Sequence, residues 1–171
     1  ITAALAETGA EVHAFEPDPY NIAKLQARFA GVANVHLHEA AVGTTEGQIR
    51  LMRAAFWNTN TDLASYSSTV VSGGKNIAEA EGFDVPIIHF PNFLRGLIDR
   101  HGSVAFVKLD IEGAELDLLE TMHAEKLFDH VRLTVAETHE HKFRALRPRF
   151  AALRETFAAT YPPRRVNLDW I

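Results

Sequence analysis

The sequence contains no cysteine among its 171 residues. Disulfides, a thiol nucleophile, and zinc or iron–sulfur sites held by cysteine are therefore excluded. No apolar run approaches the roughly 18 residues that a membrane-spanning helix needs. Neither sign of charge dominates, because 17 basic and 22 acidic residues give a formal net charge of -5. An acidic chain has no general attraction to phosphate backbones, so we expect no nucleic-acid partner. Because no apolar run is long enough, we expect no membrane span either.

The rest of the composition is ordinary for a globular protein, with 47% hydrophobic and 23% charged residues. The length predicts a single domain over residues 1–171 with a core of its own. We expect a cytoplasmic protein.

Short β-rich runs alternate with helical stretches along the chain, which is typical of an α/β fold with a mostly parallel sheet. Strands are predicted over residues 12–15, 35–42, 48–53, 85–90, 104–109 and 131–136, and residues 165–170 are a candidate last strand. Helices are predicted over residues 1–8, 20–30, 75–81, 92–101, 114–122 and 141–159. A long polar loop is predicted over residues 56–74.

An acid directly follows the strand predicted over residues 12–15. In nucleotide-binding α/β units, an acid at this place accepts hydrogen bonds from ribose hydroxyls. Glu16 is therefore a candidate ligand-binding residue. The alternative is a solvated carboxylate that opens the proline-rich turn over residues 16–19, and the residues alone leave both interpretations open.

The apolar strand over residues 104–109 is followed by two carboxylates and a glycine, and then by a helix. Ligands of open α/β sheets bind beyond the carboxyl ends of the strands, which favours Asp110 as a ligand-binding residue. Gly113 has no Cβ, so backbone and ligand can approach closely there. Glu115 is expected only to complement the N-terminus of the helix.

Four segments together resemble the FkbM-type family of S-adenosylmethionine-dependent methyltransferases. They are HAFEPDP at residues 13–19, EAAVG at 39–43, KLDIEGAE at 108–115 and VAETH at 135–139. The third is the most specific. The resemblance implies a Rossmann-like class I methyltransferase fold, with helices on both faces of a mostly parallel sheet. It also implies an enzyme that transfers a methyl group from S-adenosylmethionine, most often to a hydroxyl of a small molecule or sugar.

The same resemblance assigns the methyl donor to three places. It puts Glu16, next to Pro17, on the ribose of the donor. It puts the stretch of Glu39, Ala40 and Ala41 beside the adenine, and Asp110 near the methionine end and the acceptor.

Acceptor binding and catalysis are expected at the neighbouring strand ends. The candidate catalytic residues are Asp110, Glu137 and His139, and we favour His139 or Asp110 as the base that takes the hydroxyl proton. The candidate acceptor-binding residues are Glu112 and, on a polar loop over residues 58–72 that we expect to act as a lid, Tyr66, Ser67 and Ser68.

One part of the family pattern does not occur in the sequence, namely a glycine-rich loop and the strand before it. The sequence begins at Ile1 rather than at methionine. We therefore expect roughly 15–40 further residues before Ile1. The missing strand is expected between the strands that hold Phe15 and Leu109, and without it the sheet has a gap.

Two other classes of protein compete with a methyltransferase. A non-catalytic binding module with the same fold would suit a chain without a donor loop, and a nicotinamide-dependent oxidoreductase would share the acid at Glu16. No metal is expected. His139 and His141 alternate near Glu137, but alternation is a loose signal, and surface or pocket histidines are the favoured interpretation.

Overall fold

The structure is a computed structural model that describes residues 1–170, with the side chain of Tyr66 left out. Its helices are α1 (Thr2–Glu7), α2 (Pro19–Arg28), α3 (Thr61–Ala64), α4 (Phe90–His101), α5 (Glu115–Ala124) and α6 (Arg147–Thr160). Its strands are β1 (Val12–Phe15), β2 (Val35–His38), β3 (Ala41–Gly43), β4 (Gly47–Leu51), β5 (Phe83–His89), β6 (Val104–Leu109), β7 (Val131–Ala136) and β8 (Val166–Asn167). The 3-10 turns are Ser65–Ser67, Glu79–Glu81, Leu127–His130 and Arg144–Leu146. The predicted mixed α/β fold with parallel strands is confirmed.

Several predicted elements differ in extent. The strand predicted over residues 35–42 is two strands, β2 and β3, which belong to different sheets. The helix predicted from residue 141 begins only at Arg147, because Pro148 lacks a backbone N–H and fits only the first turn of a helix. The helix predicted over residues 75–81 is reduced to a 3-10 turn, whereas the predicted loop contains α3.

The strands form three sheets. β1 and β2 pair in parallel, β5 lies between parallel β3 and antiparallel β4, and β7 lies between β6 and β8 with both pairings parallel. In the last sheet Leu109 lies opposite Ala136. The residues that follow them, Asp110 and Glu137, therefore meet at one edge.

The main core lies around β6, β7 and the helices α4, α5 and α6. Leu118 and Phe128 are fully buried, and Phe150 of α6 is 1% exposed. Burial of side chains of this size contributes about 1.5–3 kcal/mol each, so this cluster fixes the position of β6 and β7 and of the segments that follow them. No helix of residues 1–170 is long and apolar enough to cross a membrane.

The edges of β1 and β6 are separated by a cavity of about 520 Å³. Within residues 1–170 no strand lies between them. Apolar residues such as Phe15, Phe93 and Leu94 line this cavity, together with the other residues of β1 and β6. A further strand between Phe15 and Leu109 would occupy this cavity, and its presence stays a prediction.

Candidate functional site

A cavity of about 470 Å³ opens beyond the ends of β1 and β6. Glu16 and Pro17, which follow β1, line it on one side, and Asp110 and Glu112, which follow β6, line it on another. The two acids singled out from the sequence, Glu16 and Asp110, therefore face a shared space.

A larger cavity of about 890 Å³ lies elsewhere, lined by Lys126, Arg132 and Arg165 among others. Arg132 is near the start of β7, so this cavity is at the amino ends of the strands. Because ligands of α/β sheets bind at the carboxyl ends, the smaller cavity is the candidate site.

The Glu16 carboxylate is half-buried in the turn after β1. Its Oε1 accepts a hydrogen bond from the backbone N–H of Asp18 at 2.8 Å. Burial raises the pKa of Glu16 above its ordinary value, although the hydrogen bond from Asp18 opposes the shift.

Asp18 anchors this turn, a role that sequence analysis missed. It is fully buried and caps α2 by accepting from the Tyr20 N–H at 2.9 Å. Both of its oxygens also accept from Arg53, at 2.7 and 2.9 Å, and the Arg53 guanidinium stacks on Trp57 at 3.7 Å. Asp before Pro at a helix start is a capping signal, but nothing local in the sequence identifies Arg53 as the partner.

His139 lies in the irregular segment after β7 and is 1% exposed. Its Nδ1 is 3.0 Å from Oε1 of Glu115, which is fully buried at the start of α5. The same carboxylate accepts from the backbone N–H of Ile111 at 2.8 Å and of Gly113 at 3.0 Å. A carboxylate only accepts, so Nδ1 carries the proton and Glu115 fixes the ring. The expectation that Glu115 only complements a helix N-terminus is therefore wrong.

The other ring nitrogen of His139 faces three acids. Nε2 is 3.6 Å from Oε1 of Glu112, 3.8 Å from Oε1 of Glu137 and 3.9 Å from Oδ1 of Asp110. These acids and His139 are four of the residues that sequence analysis expected at the acceptor, and the structure brings them together. Asp110 and Glu112 line the cavity, whereas Glu137 and His139 are not among its lining residues.

Two lysines balance part of this charge. Lys108 Nζ binds Oδ2 of Asp110 at 2.6 Å, and Lys142 Nζ donates to Oε2 of Glu112. In both acids the second oxygen faces His139. Burial raises the pKa of Glu112, and Lys142 and His139 oppose that shift. Burial alone would lower the pKa of His139, but the hydrogen bond to Glu115 and the charges of Glu115 and Glu112 outweigh burial and raise it.

The backbone between Asp110 and α5 has left-handed conformations. Glu112 has φ 56°, and Gly113 has φ 109°. A Cβ on Gly113 would lie 2.2 Å from Cε2 of Phe143. Glycine is needed there because Phe143 packs against it and its φ is positive. The approach of a ligand to its backbone stays a prediction.

The polar segment over residues 58–72 forms a wall of the cavity. Asp62 of α3 accepts from the Tyr20 hydroxyl at 2.7 Å and from Lys24 at 2.6 Å. The Thr69 hydroxyl donates to the backbone oxygen of Glu112 at 2.6 Å. The segment is thereby tied to α2 and to the loop after β6; its action as a lid stays a prediction.

The remaining predicted residues are divided between the cavity and the surface. Ala40, Ala41 and Ser68 line the cavity, and the buried Ser68 hydroxyl has no hydrogen-bond partner among the described residues. Glu39 is exposed, and neither it nor Ser67 is among the residues lining the cavity. The side chain of Tyr66 lies outside the described residues.

The histidine pair considered from the sequence does not converge. His141 is exposed, and its ring centroid is 6.0 Å from that of His139.

A mixed α/β fold with several acids around one cavity at the strand ends is compatible with a methyltransferase domain. Comparison with known protein families agrees, because the model of the Methyltransferase FkbM domain matches residues 1–162 of the 171 residues. The chain therefore belongs to the FkbM methyltransferase family. No curated protein and no solved structure matches it.

Proposed function

We propose that this protein is an S-adenosylmethionine-dependent methyltransferase that methylates a hydroxyl group of a small molecule or sugar. We further propose that its strands belong to one Rossmann-like class I sheet. The observation that carries the proposal is that Glu16 and Asp110 line one cavity. Its volume of about 470 Å³ is within the range of roughly 300–1,000 Å³ typical of small-molecule sites.

The donor is proposed to lie between the two acids. The Glu16 carboxylate would accept hydrogen bonds from the two ribose hydroxyls, as acids at this position do in nucleotide-binding α/β folds. The small side chains of Ala40 and Ala41 line the cavity and leave room for a flat adenine ring. Asp110 would lie near the methionine end, where its negative charge favours the sulfonium.

Methyl transfer is a displacement at the sulfonium carbon. The acceptor oxygen forms a bond to the methyl carbon, the carbon–sulfur bond breaks, and the hydroxyl proton goes to a base. We assign that base to the cluster of Asp110, Glu137 and His139, in which His139 Nε2 is 3.9 Å from Oδ1 of Asp110 and 3.8 Å from Oε1 of Glu137. Holding the reactants in line contributes roughly 7–11 kcal/mol to catalysis.

The Ser68 hydroxyl and the acids favour a polar acceptor. A buried hydroxyl without a partner on the cavity wall is available to a ligand, since buried polar groups are otherwise paired. Acids near the cavity accept hydrogen bonds, which suits an acceptor with several hydroxyl groups.

Calorimetric titration of the full-length protein with S-adenosylhomocysteine, and separately with NAD, tests the donor site. We expect saturable binding of S-adenosylhomocysteine and none of NAD. Glu16→Ala should weaken binding roughly 10- to 100-fold, the effect of losing a hydrogen bond to a charged group. Glu155→Ala, an exposed acid on α6, is the matched control and should bind like the wild type. Binding of NAD alone would overturn the proposal.

A further inference from the structure

We propose that Asp110, Glu112 and His139 bind a divalent cation of the Mg²⁺ or Mn²⁺ type. The site lies at the acceptor side of the candidate cavity and uses one oxygen of each acid and Nε2 of the imidazole. Glu137 lies beside the site and remains free to act as the base.

The three ligand atoms are already close together. One atom of each residue lies within 4.8 Å of the others, and Nε2 is 3.6 Å from Glu112 Oε1 and 3.9 Å from Asp110 Oδ1. Octahedral bonds of about 2.0–2.2 Å place adjacent ligands roughly 3.0 Å apart. The two distances to Nε2 would have to shorten by less than about 1 Å to reach this spacing.

The buried imidazole is the observation that points to a cation. The side chain of His139 is 2% exposed, and its Nδ1 proton is held by Glu115. On the neutral ring Nε2 therefore presents a lone pair, and it makes no hydrogen bond to any residue that the structure describes. Oxygens of Asp110, Glu112 and Glu137 face Nε2 at 3.6 to 3.9 Å, so oxygen and nitrogen ligands for a cation converge at this point.

The surrounding charges favour a divalent cation. Four carboxylates belong to this cluster, from Asp110, Glu112, Glu115 and Glu137, whereas two lysines are paired with it. The carboxylates outnumber the paired lysines by two, which is the charge of a divalent ion. In many metal sites a histidine ligand donates its other ring N–H to a carboxylate, which fixes the orientation of the ring. Glu115 has this position relative to His139, because it binds Nδ1.

The ligands identify the class of ion. Carboxylate oxygens suit Mg²⁺ and Mn²⁺, and a single imidazole is compatible with Mn²⁺. The Asp110 side chain is 38% exposed, so the ion would keep open positions toward the cavity. The role of the ion in catalysis rests on the proposed function. An acceptor with two adjacent oxygens would occupy the open positions of the ion, and Glu137 would take the proton of the acceptor hydroxyl.

Electron paramagnetic resonance of Mn²⁺ added to the metal-stripped, full-length protein tests the site without donor or acceptor. We expect one bound Mn²⁺ per chain, with a nitrogen coupling from the imidazole. His139→Gln should weaken Mn²⁺ binding at least tenfold and abolish the coupling. The matched control is His141→Gln, the same change on an exposed histidine two residues further, and it should bind as the wild type does.

Circular dichroism melting of each variant shows whether it is folded. If a variant is not folded, the nitrogen coupling measured on the wild type still tests whether an imidazole binds the Mn²⁺. Absence of a stoichiometric Mn²⁺ site, or equal affinities of His139→Gln and His141→Gln, would overturn the proposal. Binding of S-adenosylhomocysteine is measured on the same samples. Donor binding without Mn²⁺ binding refutes only the metal site, whereas Mn²⁺ binding without donor binding refutes only the proposed donor.

Discussion

Replacement of Glu115 tests the internal support of the candidate site most directly. Its carboxylate accepts three hydrogen bonds, from the N–H groups of Ile111 and Gly113 and from Nδ1 of His139. Glu115→Ala leaves these three donors without their acceptor, two of them buried and the Ile111 N–H partly buried. Each unmade bond costs about 1–3 kcal/mol, so we expect the free energy of unfolding to fall by about 3–6 kcal/mol after partial compensation by water.

Glu115→Gln should cost less and is the variant that retains the fold if Glu115→Ala does not. A glutamine oxygen still accepts from Ile111 and His139, but its NH₂ group then faces the N–H of Gly113. The N–H of Gly113 therefore loses its acceptor, and the free energy of unfolding should fall by about 1–3 kcal/mol. The order of stability, wild type above Glu115→Gln above Glu115→Ala, follows from the number of unpaired donors.

Urea unfolding followed by circular dichroism measures these differences, provided that the dependence of the free energy on denaturant is unchanged. Glu155→Ala, exposed on α6, is the control and should stay within about 0.5 kcal/mol of the wild type. Nuclear magnetic resonance of the His139 ring gives a second readout, because loss of the carboxylate should release its fixed tautomer. A Glu115→Ala protein within 1 kcal/mol of the wild type would refute the reasoning.

Three further predictions concern the surroundings of the cavity. Gly113→Ala should lower the free energy of unfolding by roughly 1–3 kcal/mol, measured in urea, because its Cβ would lie 2.2 Å from Phe143 and its φ is 109°. Asp18→Ala should cost about 3–5 kcal/mol by thermal or urea unfolding, because it leaves Arg53 without its buried partner. Affinity for S-adenosylhomocysteine, measured by calorimetry, should fall as pH is lowered through the raised pKa of Glu16, since only the ionised carboxylate accepts both ribose hydroxyls.

Each of these has a control. Gly9→Ala also replaces a glycine with positive φ, but a Cβ there meets nothing within 4 Å, so the difference between the two variants isolates the clash with Phe143. Asp18→Ala and Arg53→Ala should be far from additive, and additive losses would show that the two groups do not interact. A pH dependence of donor binding that persists in Glu16→Ala would assign the titration to another group.

The local sequence predicted the elements that carry the site. The apolar runs over residues 104–109 and 131–136 are typical of strands in a parallel sheet, and both strands occur there. Because the carboxyl ends of paired parallel strands lie together, Asp110 and Glu137 could be expected at one edge.

Other boundaries could not be read locally. Residues 35–42 form an almost uninterrupted β-rich run, yet β2 pairs with β1 and β3 with β5. The run is divided because its two halves pair with different strands. The β-propensity of the residues themselves does not indicate where the division falls.

Sequence by itself therefore determined the fold class, the family and the strand-end acids, because periodicity and short motifs are properties of adjacent residues. Tertiary structure alone decided the partners: Glu115 meets His139 across 24 positions of the chain, and Asp18 meets Arg53 across 35. The reason is physical. A buried charged group needs a complementary group beside it. The arrangement of strands and helices decides which group lies there, and distance along the chain does not.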